Sequence, residues 1–458
     1  MIDLASVPAL LAPRLRDHLA LQRWSGAHDR PFASVAFRWQ EVVATDEDVA
    51  LLWGLVDAVH EDDGEVVAFQ LFIGLRPDGP VPDFLEGKAR EVIGTVGSGP
   101  DAVVAYDALV DPDLAIAVLH LVAPDVQVEV RRPLVLEHSN SSVVFDESRI
   151  LKLFRRVHPG PNPDMEITRV LAAAGSPHVL PPLAELRRDD TDLAVLRDFM
   201  IGATEGWELA RTSLRDLLAS RQAPEDAGGD LAHDVERLGG VIGELHVAMA
   251  AAWGQEPGDA AGWVAQMLDQ LRTVEGAASA DEHLVGVDMG AVHDELERLA
   301  GLADVGVQVR IHGDLHLAQV IRVGAGWRVL DFEGEPARRR DDRFTHSSPL
   351  RDVAGILRSL HYAAATGLVE WGDPDDELVA LAGAWEERNR EAFLAGYLAV
   401  ADLGRLLPET AEGRTQVLRA FELDKAIYEL AYELSYRPDQ AAIPAAGIAR
   451  LVAGGVVP

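Results

Sequence analysis

The sequence predicts an α+β chain with its strands first and its helices last. Three observations carry this: strand-like apolar runs in the first two hundred residues, a hairpin pattern over residues 134–157, and helical periodicity that dominates from residue 201 onward. Residues 1–90 are expected to open with a helix at 10–21 and continue as a small antiparallel domain. Its strands include 49–56 and 66–73, joined through a turn at Glu61-Asp62-Asp63-Gly64. Residues 91–200 are expected to hold a second strand set and one clear helix near 164–174, and residues 201–458 a mainly helical region. No internal repeat or low-complexity linker interrupts this plan.

Composition bounds the function. A chain of 458 residues has room for two or three domains, and 48% hydrophobic residues exclude general disorder. With 41 basic and 75 acidic residues, the formal net charge is −34. Such a surface repels nucleic acid and anionic membranes, so neither is expected as a partner. The absence of cysteine excludes disulfides and thiol catalysis. No basic-then-apolar leader opens the sequence and no apolar run approaches twenty residues, so a soluble, cytoplasmic monomer is expected. Asp189-Asp190-Thr191-Asp192 reads as a solvated turn.

Residues 310–336, RIHGDLHLAQVIRVGAGWRVLDFEGEP, carry the chemistry. Asp314 stands in a His-Gly-Asp turn, the amide Gln319 follows five residues later, and Asp331 ends the next apolar run. That order matches the phosphotransferase arrangement H-R-D-x-x-x-x-N followed by D-F-G. In it one Asp handles the acceptor proton, and the amide and the later Asp hold magnesium. Phosphoryl transfer needs a metal clamp, an aligned acceptor and charge neutralisation, so these groups suffice. Gly313 replaces the kinase Arg, and Glu333 stands where a protein kinase has Gly, which points to small-molecule acceptors. A lone HGD or DFE would be turn chemistry. His312 and His316 have a zinc-compatible spacing, but Gly313 and Asp314 argue for a loop and no Cys completes a soft site. Arg338-Arg339-Arg340-Asp341-Asp342-Arg343 reads as an exposed charged loop.

The upstream half of such a site is present too. Residues 134–157 read as two strands around a turn at Asp146-Glu147-Ser148, preceded by the small polar turn Ser139-Asn140-Ser141-Ser142, whose Ser141 and Ser142 suit phosphate oxygens. Lys152 lies in the apolar run Ile-Leu-Lys-Leu-Phe, where a lone ammonium is costly without a partner. ATP phosphates and Glu166 on the next helix are the expected partners, with Arg155 and Arg156 adding positive charge nearby. Only Lys88, Lys152 and Lys425 are lysines, against 38 arginines, so a Lys is kept where a compact ammonium does what a planar fork cannot.

From these motifs the chain resembles the actinobacterial maltokinases and related bacterial glucosamine kinases. The likeness runs through Gln22-Arg23-Trp24, SNSSVVFD with ILKLFRRV, NPDMEITRVLAAAGSPHV, Glu205-Gly206-Trp207, HGDLHLAQV with DFEGEP, SPLRDVAGILRSL, WEERNREAF and FELDKAIYELAYEL. It implies a bilobal protein-kinase-like fold with an N-terminal antiparallel cap over 1–90, a nucleotide-binding lobe over 91–200 and a helical catalytic and sugar-binding lobe over 201–458. It further implies ATP and Mg2+ as cofactors, Asp314 as base, and Gln319 and Asp331 as metal ligands. Adenine would sit near residues 196–200, with Leu196 and Phe199 beside it. Asp352 would brace the catalytic loop.

For the sugar, the candidates are Asp314, His316, Asp424, Tyr428 and Tyr432, which the resemblance supports, and Arg437 and Asp439, where this chain departs from the family pattern. Asp424, Tyr428 and Tyr432 recur every four residues along a helix over 416–436, and Lys425 with Glu429 reads as an ordinary i,i+4 pair. Trp207, Trp385 and Glu386 are minor candidates. Two departures matter. Maltokinases resemble RWYAGR near the N-terminus where this chain has RWSGAH, and tend to R-P-x-W where it has Arg437-Pro438-Asp439-Gln440. A missing Trp removes a stacking platform for a second ring. The expected activity is therefore phosphorylation of glucosamine to glucosamine 6-phosphate. The alternatives are maltose 1-phosphate formation and aminoglycoside phosphorylation.

Overall fold

The computed structural model describes residues 7–26, 30–46, 48–99, 102–129, 134–137, 140–278, 287–335 and 346–454. It divides into two compact units, one of residues 1–166 and 181–201, the other of 167–180 and 202–458.

In the first unit, Phe32–Thr45 (β1), Ala50–His60 (β2), Val66–Pro77 (β3), Val92–Val96 (β4) and Val103–Asp107 (β5) form an antiparallel sheet in the order β1-β2-β3-β5-β4. The expected boundary at residue 90 therefore falls inside a sheet. β5 does not begin a new lobe; it pairs with β3 from Ile73 opposite Asp107 to Pro77 opposite Val103. β2 and β3 are buried on both faces, because each face is covered. Leu11, Leu15 and Leu19 of the helix Val7–Leu21 (α1) pack with Leu52, Val56, Phe69 and Ile73 on one side. On the other, Leu51, Trp53 and Phe72 meet Leu114 and Val118 of Pro112–Val122 (α2) and residues of a second sheet.

That second sheet contains Leu134–Glu137 (β6), Ser141–Phe145 (β7), Arg149–Leu153 (β8), Ala184–Arg188 and Thr191–Asp198, while Arg156–Val157 (β9) returns to pair with β3. Numbering the two later strands β10 and β11, the order is β10-β11-β8-β7-β6. The β7–β8 hairpin turns where expected, with Asp146 and Glu147 in the left-handed region at φ 51° and 52°. The expected helix is Pro163–Ala173 (α3).

The second unit is helical around one large core. Its helices are Gly206–Ser220 (α4), Ala232–Trp253 (α5), Ala260–Ala278 (α6), Met289–Ala300 (α7), Leu350–Trp371 (α8), Asp376–Leu398 (α9), Ala411–Tyr436 (α10) and Ala442–Val452 (α11). Short strands interrupt them: Thr204–Glu205 (β12), Gln255–Pro257 (β13), Val307–Val309 (β14), Val320–Val323 (β15) and Gly326–Val329 (β16). Among the described residues, no helix is long and apolar enough to cross a membrane. The charged loop Arg338–Arg343, Ser139, and Ala27 and His28 of the RWSGAH segment lie outside the described residues.

Candidate active site

The hairpin of β15 and β16 explains the spacing of the catalytic motif. Val320 faces Val329 across it, and one step further out the Leu330 N–H donates to the Gln319 carbonyl at 2.8 Å. Twelve residues of chain therefore return Asp331 to Gln319, whose Nε2 lies 3.5 Å from Asp331 Oδ2. Asp331 itself holds φ 61°. Turning the amide over presents Oε1 instead of Nε2, giving the oxygen donors a hard cation such as magnesium takes, so the pair fits that ion.

Asp314 follows β14 in a tight loop made possible by Gly313 at φ 84°. The loop is pinned from α8. Asp352, 2% exposed, accepts the backbone N–H of His312 at 2.8 Å and of Gly313 at 2.9 Å. Its brace role, expected from the sequence, is visible in those two bonds. Burial works against its charge, but the hydrogen bonds from His246 and the Gly313 N–H win and hold its pKa below the ordinary carboxylate value. Gly355 on α8 lets the helix approach the loop: a Cβ there would lie 2.1 Å from the Leu315 carbonyl oxygen. His312 accepts the Asp314 N–H at Nδ1 (3.3 Å) and donates from Nε2 to the Leu330 carbonyl (2.8 Å), tying the Asp314 loop to the β15–β16 hairpin.

The side chain of Asp314 meets a group the sequence reading assigned elsewhere. Lys425 Nζ on α10 lies 3.0 Å from Asp314 Oδ1 and 2.8 Å from Glu335 Oε1, and 4.6 Å from the centre of the Tyr428 ring. Arg351 Nη2 binds the other Glu335 oxygen at 2.7 Å. Burial disfavours the ammonium, yet Glu335 and Asp314 outweigh it and raise the Lys425 pKa above its ordinary value. The expected Lys425–Glu429 pair is thus corrected: Glu429 instead takes Arg358 of α8, whose Nε lies 3.1 Å away. Burial pushes the Tyr428 hydroxyl up to about 12.

The other sugar-side candidates differ in burial and partners. His316, half-buried, accepts the Ala318 N–H, and burial lowers its pKa. Asp424 is buried, and Gln270 of α6 donates to its backbone carbonyl, whereas Tyr432 is 45% exposed. A four-residue step advances about 40° around a helix, so two steps carry Tyr432 off the face of Asp424. Arg437 binds Glu433 at 2.6 Å and covers the Tyr432 ring, and Asp439 is exposed on the turn Pro438–Gln440. Trp385 and Glu386 are buried structural residues: Trp385 donates to Ser213, and Glu386 receives His361 and Arg450. Trp207 is half-buried, its ring 6.5 Å from that of Tyr362.

In the first unit, Ser142 stands directly opposite Lys152 across β7 and β8, so both side chains share one face. Ser141 points the other way and is fully buried, its Oγ accepting from Arg155 Nε at 2.8 Å. Arg155 is itself buried, bound to Asp107 and stacked 5.1 Å from the Trp24 ring centre. Neither Ser141 nor Arg155 is therefore a surface phosphate ligand. Lys152 Nζ lies 3.4 Å from Asp164 Oδ2, a carboxylate two residues before Glu166 on the same helix. Asp164 is fully buried and also takes Arg197 at 3.0 Å. Leu196 is 1% exposed in the core, which removes its side chain as an adenine contact, and Phe199 is half-buried with its N–H bound to the Ser148 carbonyl.

An antiparallel cap sheet and a helical unit carrying this loop-and-hairpin motif are the features of a kinase-like α+β fold. Residues 18–111 match the maltokinase N-terminal cap domain. The chain is 27% identical to a glucosamine kinase of Mycolicibacterium smegmatis over 334 residues, 71% of this chain and 80% of that protein. It is 26% identical to a glucosamine kinase of Streptacidiphilus jiangxiensis over 336 residues, 68% and 69% of the two. A solved glucosamine kinase in complex with glucosamine, ADP and inorganic phosphate superposes with a TM-score of 0.62 at 20% identity, covering 92% of this chain and 94% of the other. A second glucosamine kinase crystal form gives 0.65 at 20% identity over 97% of both chains. The resemblance read from the motifs is borne out, and the fold is that of these kinases.

Proposed function

We propose that the chain is an ATP-dependent sugar kinase whose acceptor is glucosamine and whose product is glucosamine 6-phosphate. The observation that carries the reading is the placement of Asp314 on a braced loop beside the Gln319–Asp331 hairpin. Asp314 takes the proton of the sugar hydroxyl as that oxygen bonds to the γ-phosphorus. The bond to the bridging oxygen breaks, and its electron pair leaves with ADP. Magnesium, held by Gln319 and Asp331, supplies charge neutralisation on the phosphates when bound. Lys152 binds phosphate, with Ser142 beside it and Glu166 on the following helix, and Phe199 lies next to the adenine site.

Support for a monosaccharide comes from the names of the two sequence relatives. It comes also from Arg437-Pro438-Asp439-Gln440, which lacks the Trp a second ring would stack on. Asp439 and Arg437 are assigned to the rim, and His316, Asp424, Tyr428 and Tyr432 to the sugar pocket. A charge-assisted bond from Asp439 to the amine is worth roughly 1.5–3 kcal/mol, enough for about tenfold preference for glucosamine over glucose. The cap match favours a second reading, a maltokinase making maltose 1-phosphate.

An ATP-consumption screen over glucosamine, glucose, maltose and aminoglycosides, with NMR of the product, decides between them. Glucosamine should lead in kcat/KM and carry phosphate on its 6-hydroxyl; a roughly tenfold preference for maltose would end the glucosamine reading. Asp314→Asn should keep nucleotide binding and lose about 10²–10⁴ in rate. Asp439→Asn should lose glucosamine turnover selectively.

A further inference from the structure

We infer that Lys425 is a positioning residue for the base: its ammonium holds Oδ1 of Asp314, leaving Oδ2 as the oxygen that takes the sugar proton. The inference deepens the kinase reading above and rests on it. Lys425 Nζ lies 3.0 Å from Oδ1, and Oδ2 has no protein partner among the described residues. A carboxylate free to rotate about χ2 offers either oxygen at a poor angle for much of the time. One fixed by a short charge-assisted bond presents the same oxygen at every turnover.

The ammonium is itself fixed on every side. Glu335 Oε1 takes a second hydrogen at 2.8 Å, and the Tyr428 ring lies below at 4.6 Å. Arg351 on α8 holds Glu335, and one turn along α10 Glu429 is bound to Arg358 of the same α8. The helix that fixes the loop just before Asp314 through Asp352 is thus ion-paired to the helix that fixes its side chain through Lys425. Both holds on Asp314 share one rigid frame. Both hydrogen bonds the structure gives Lys425 go to Asp314 and Glu335, which fits a residue acting through Asp314.

Lys425→Ala tests this. With glucosamine and ATP, kcat should fall about 10–100-fold while the KM for ATP stays within about threefold, because the loss is orientation and not nucleotide binding. Ethylammonium should restore kcat by about fivefold or more, and tetramethylammonium, which cannot donate a hydrogen bond, should not. A kcat within about threefold of wild type, or a loss that ethylammonium leaves untouched, would overturn the inference. If the alanine variant does not fold, Lys425→Arg carries the test, since it keeps the charge between two carboxylates. It should fold with wild-type Tm yet lose about fivefold or more in kcat, because a guanidinium cannot take the ammonium's place; wild-type kcat would overturn the inference. Wild-type protein inactive on every sugar of the panel would overturn the kinase reading and this inference together. An active wild type with an unaffected Lys425 variant overturns this inference alone.

Discussion

His246 donates from Nε2 to Asp352 Oδ2 at 3.1 Å, joining two residues 106 positions apart with side chains only 1% exposed. Tyr397 closes the far side, its hydroxyl 2.9 Å from His246 Nδ1, so the imidazole has one defined tautomer. The carboxylate then spends both oxygens on the loop of Asp314. Asp352→Asn turns one acceptor into an NH2 facing N–H donors, and each bond to the lost charge is worth about 1.5–3 kcal/mol. The variant should show a lower Tm and a loss in kcat larger than any change in KM for ATP. Wild-type kinetics in Asp352→Asn would show that the brace is dispensable.

Much of the loop-and-hairpin half of the candidate site was legible because it is local. Asp314, Gln319 and Asp331 lie in one segment, and a hairpin is enough to gather the last two. Lys425 was not legible in its role. Its partner lies 111 residues away, and Glu429 at i+4 offered a nearer explanation. That Asp164 reaches Lys152 depends on the rotational phase of α3, which sequence spacing alone does not reveal. Ser141 and Ser142 differ in the same way: adjacent strand residues face opposite sides, and only the packing of the sheet decides which is buried. The 90-residue boundary failed because β5 joins the cap across a long excursion in sequence.

The metal role proposed for Gln319 and Asp331 sets a graded expectation. Asp331→Asn removes the charged ligand and should abolish productive magnesium use, while Gln319→Ala should raise the magnesium needed for half-maximal rate. A charged ligand is worth more to a hard cation than a neutral amide. A magnesium titration identical to wild type in either variant would remove that residue from the metal site.

The cap carries a pH signature. His18 on α1 is 4% exposed, and burial lowers its pKa from 6.5 to about 4; Asp107 opposes this and Arg155 adds to it. A depressed histidine pKa means that the folded state holds the neutral ring and unfolding takes up a proton between those values. Its contribution is complete above pH 6.5 and lost as pH falls toward 4, amounting to roughly 3 kcal/mol. Thermal unfolding of wild type should weaken across that window, and His18→Phe should flatten the slope. Parallel curves for the two proteins would refute the assignment.

Lys152 gives the sharpest test of the nucleotide side. Asp164 stays ion-paired to Arg197 when Lys152 is removed, so Lys152→Ala leaves that buried carboxylate with a cation and should fold. What it loses is the ammonium proposed for the phosphates, a contact worth about 1.5–3 kcal/mol, or roughly ten- to a hundredfold in ADP affinity. Lys152→Arg should be nearly as damaging. A planar fork already serves Asp164 from Arg197, and a second one cannot bind a carboxylate and a phosphate from an ammonium's place. Asp164→Asn is a different experiment: it strips two cations of their shared partner and should cost stability of about 3–5 kcal/mol before any effect on binding is read. Calorimetric titration of ADP into the folded variants separates these outcomes. An ADP affinity within about threefold of wild type in Lys152→Ala would remove the phosphate-binding role from Lys152.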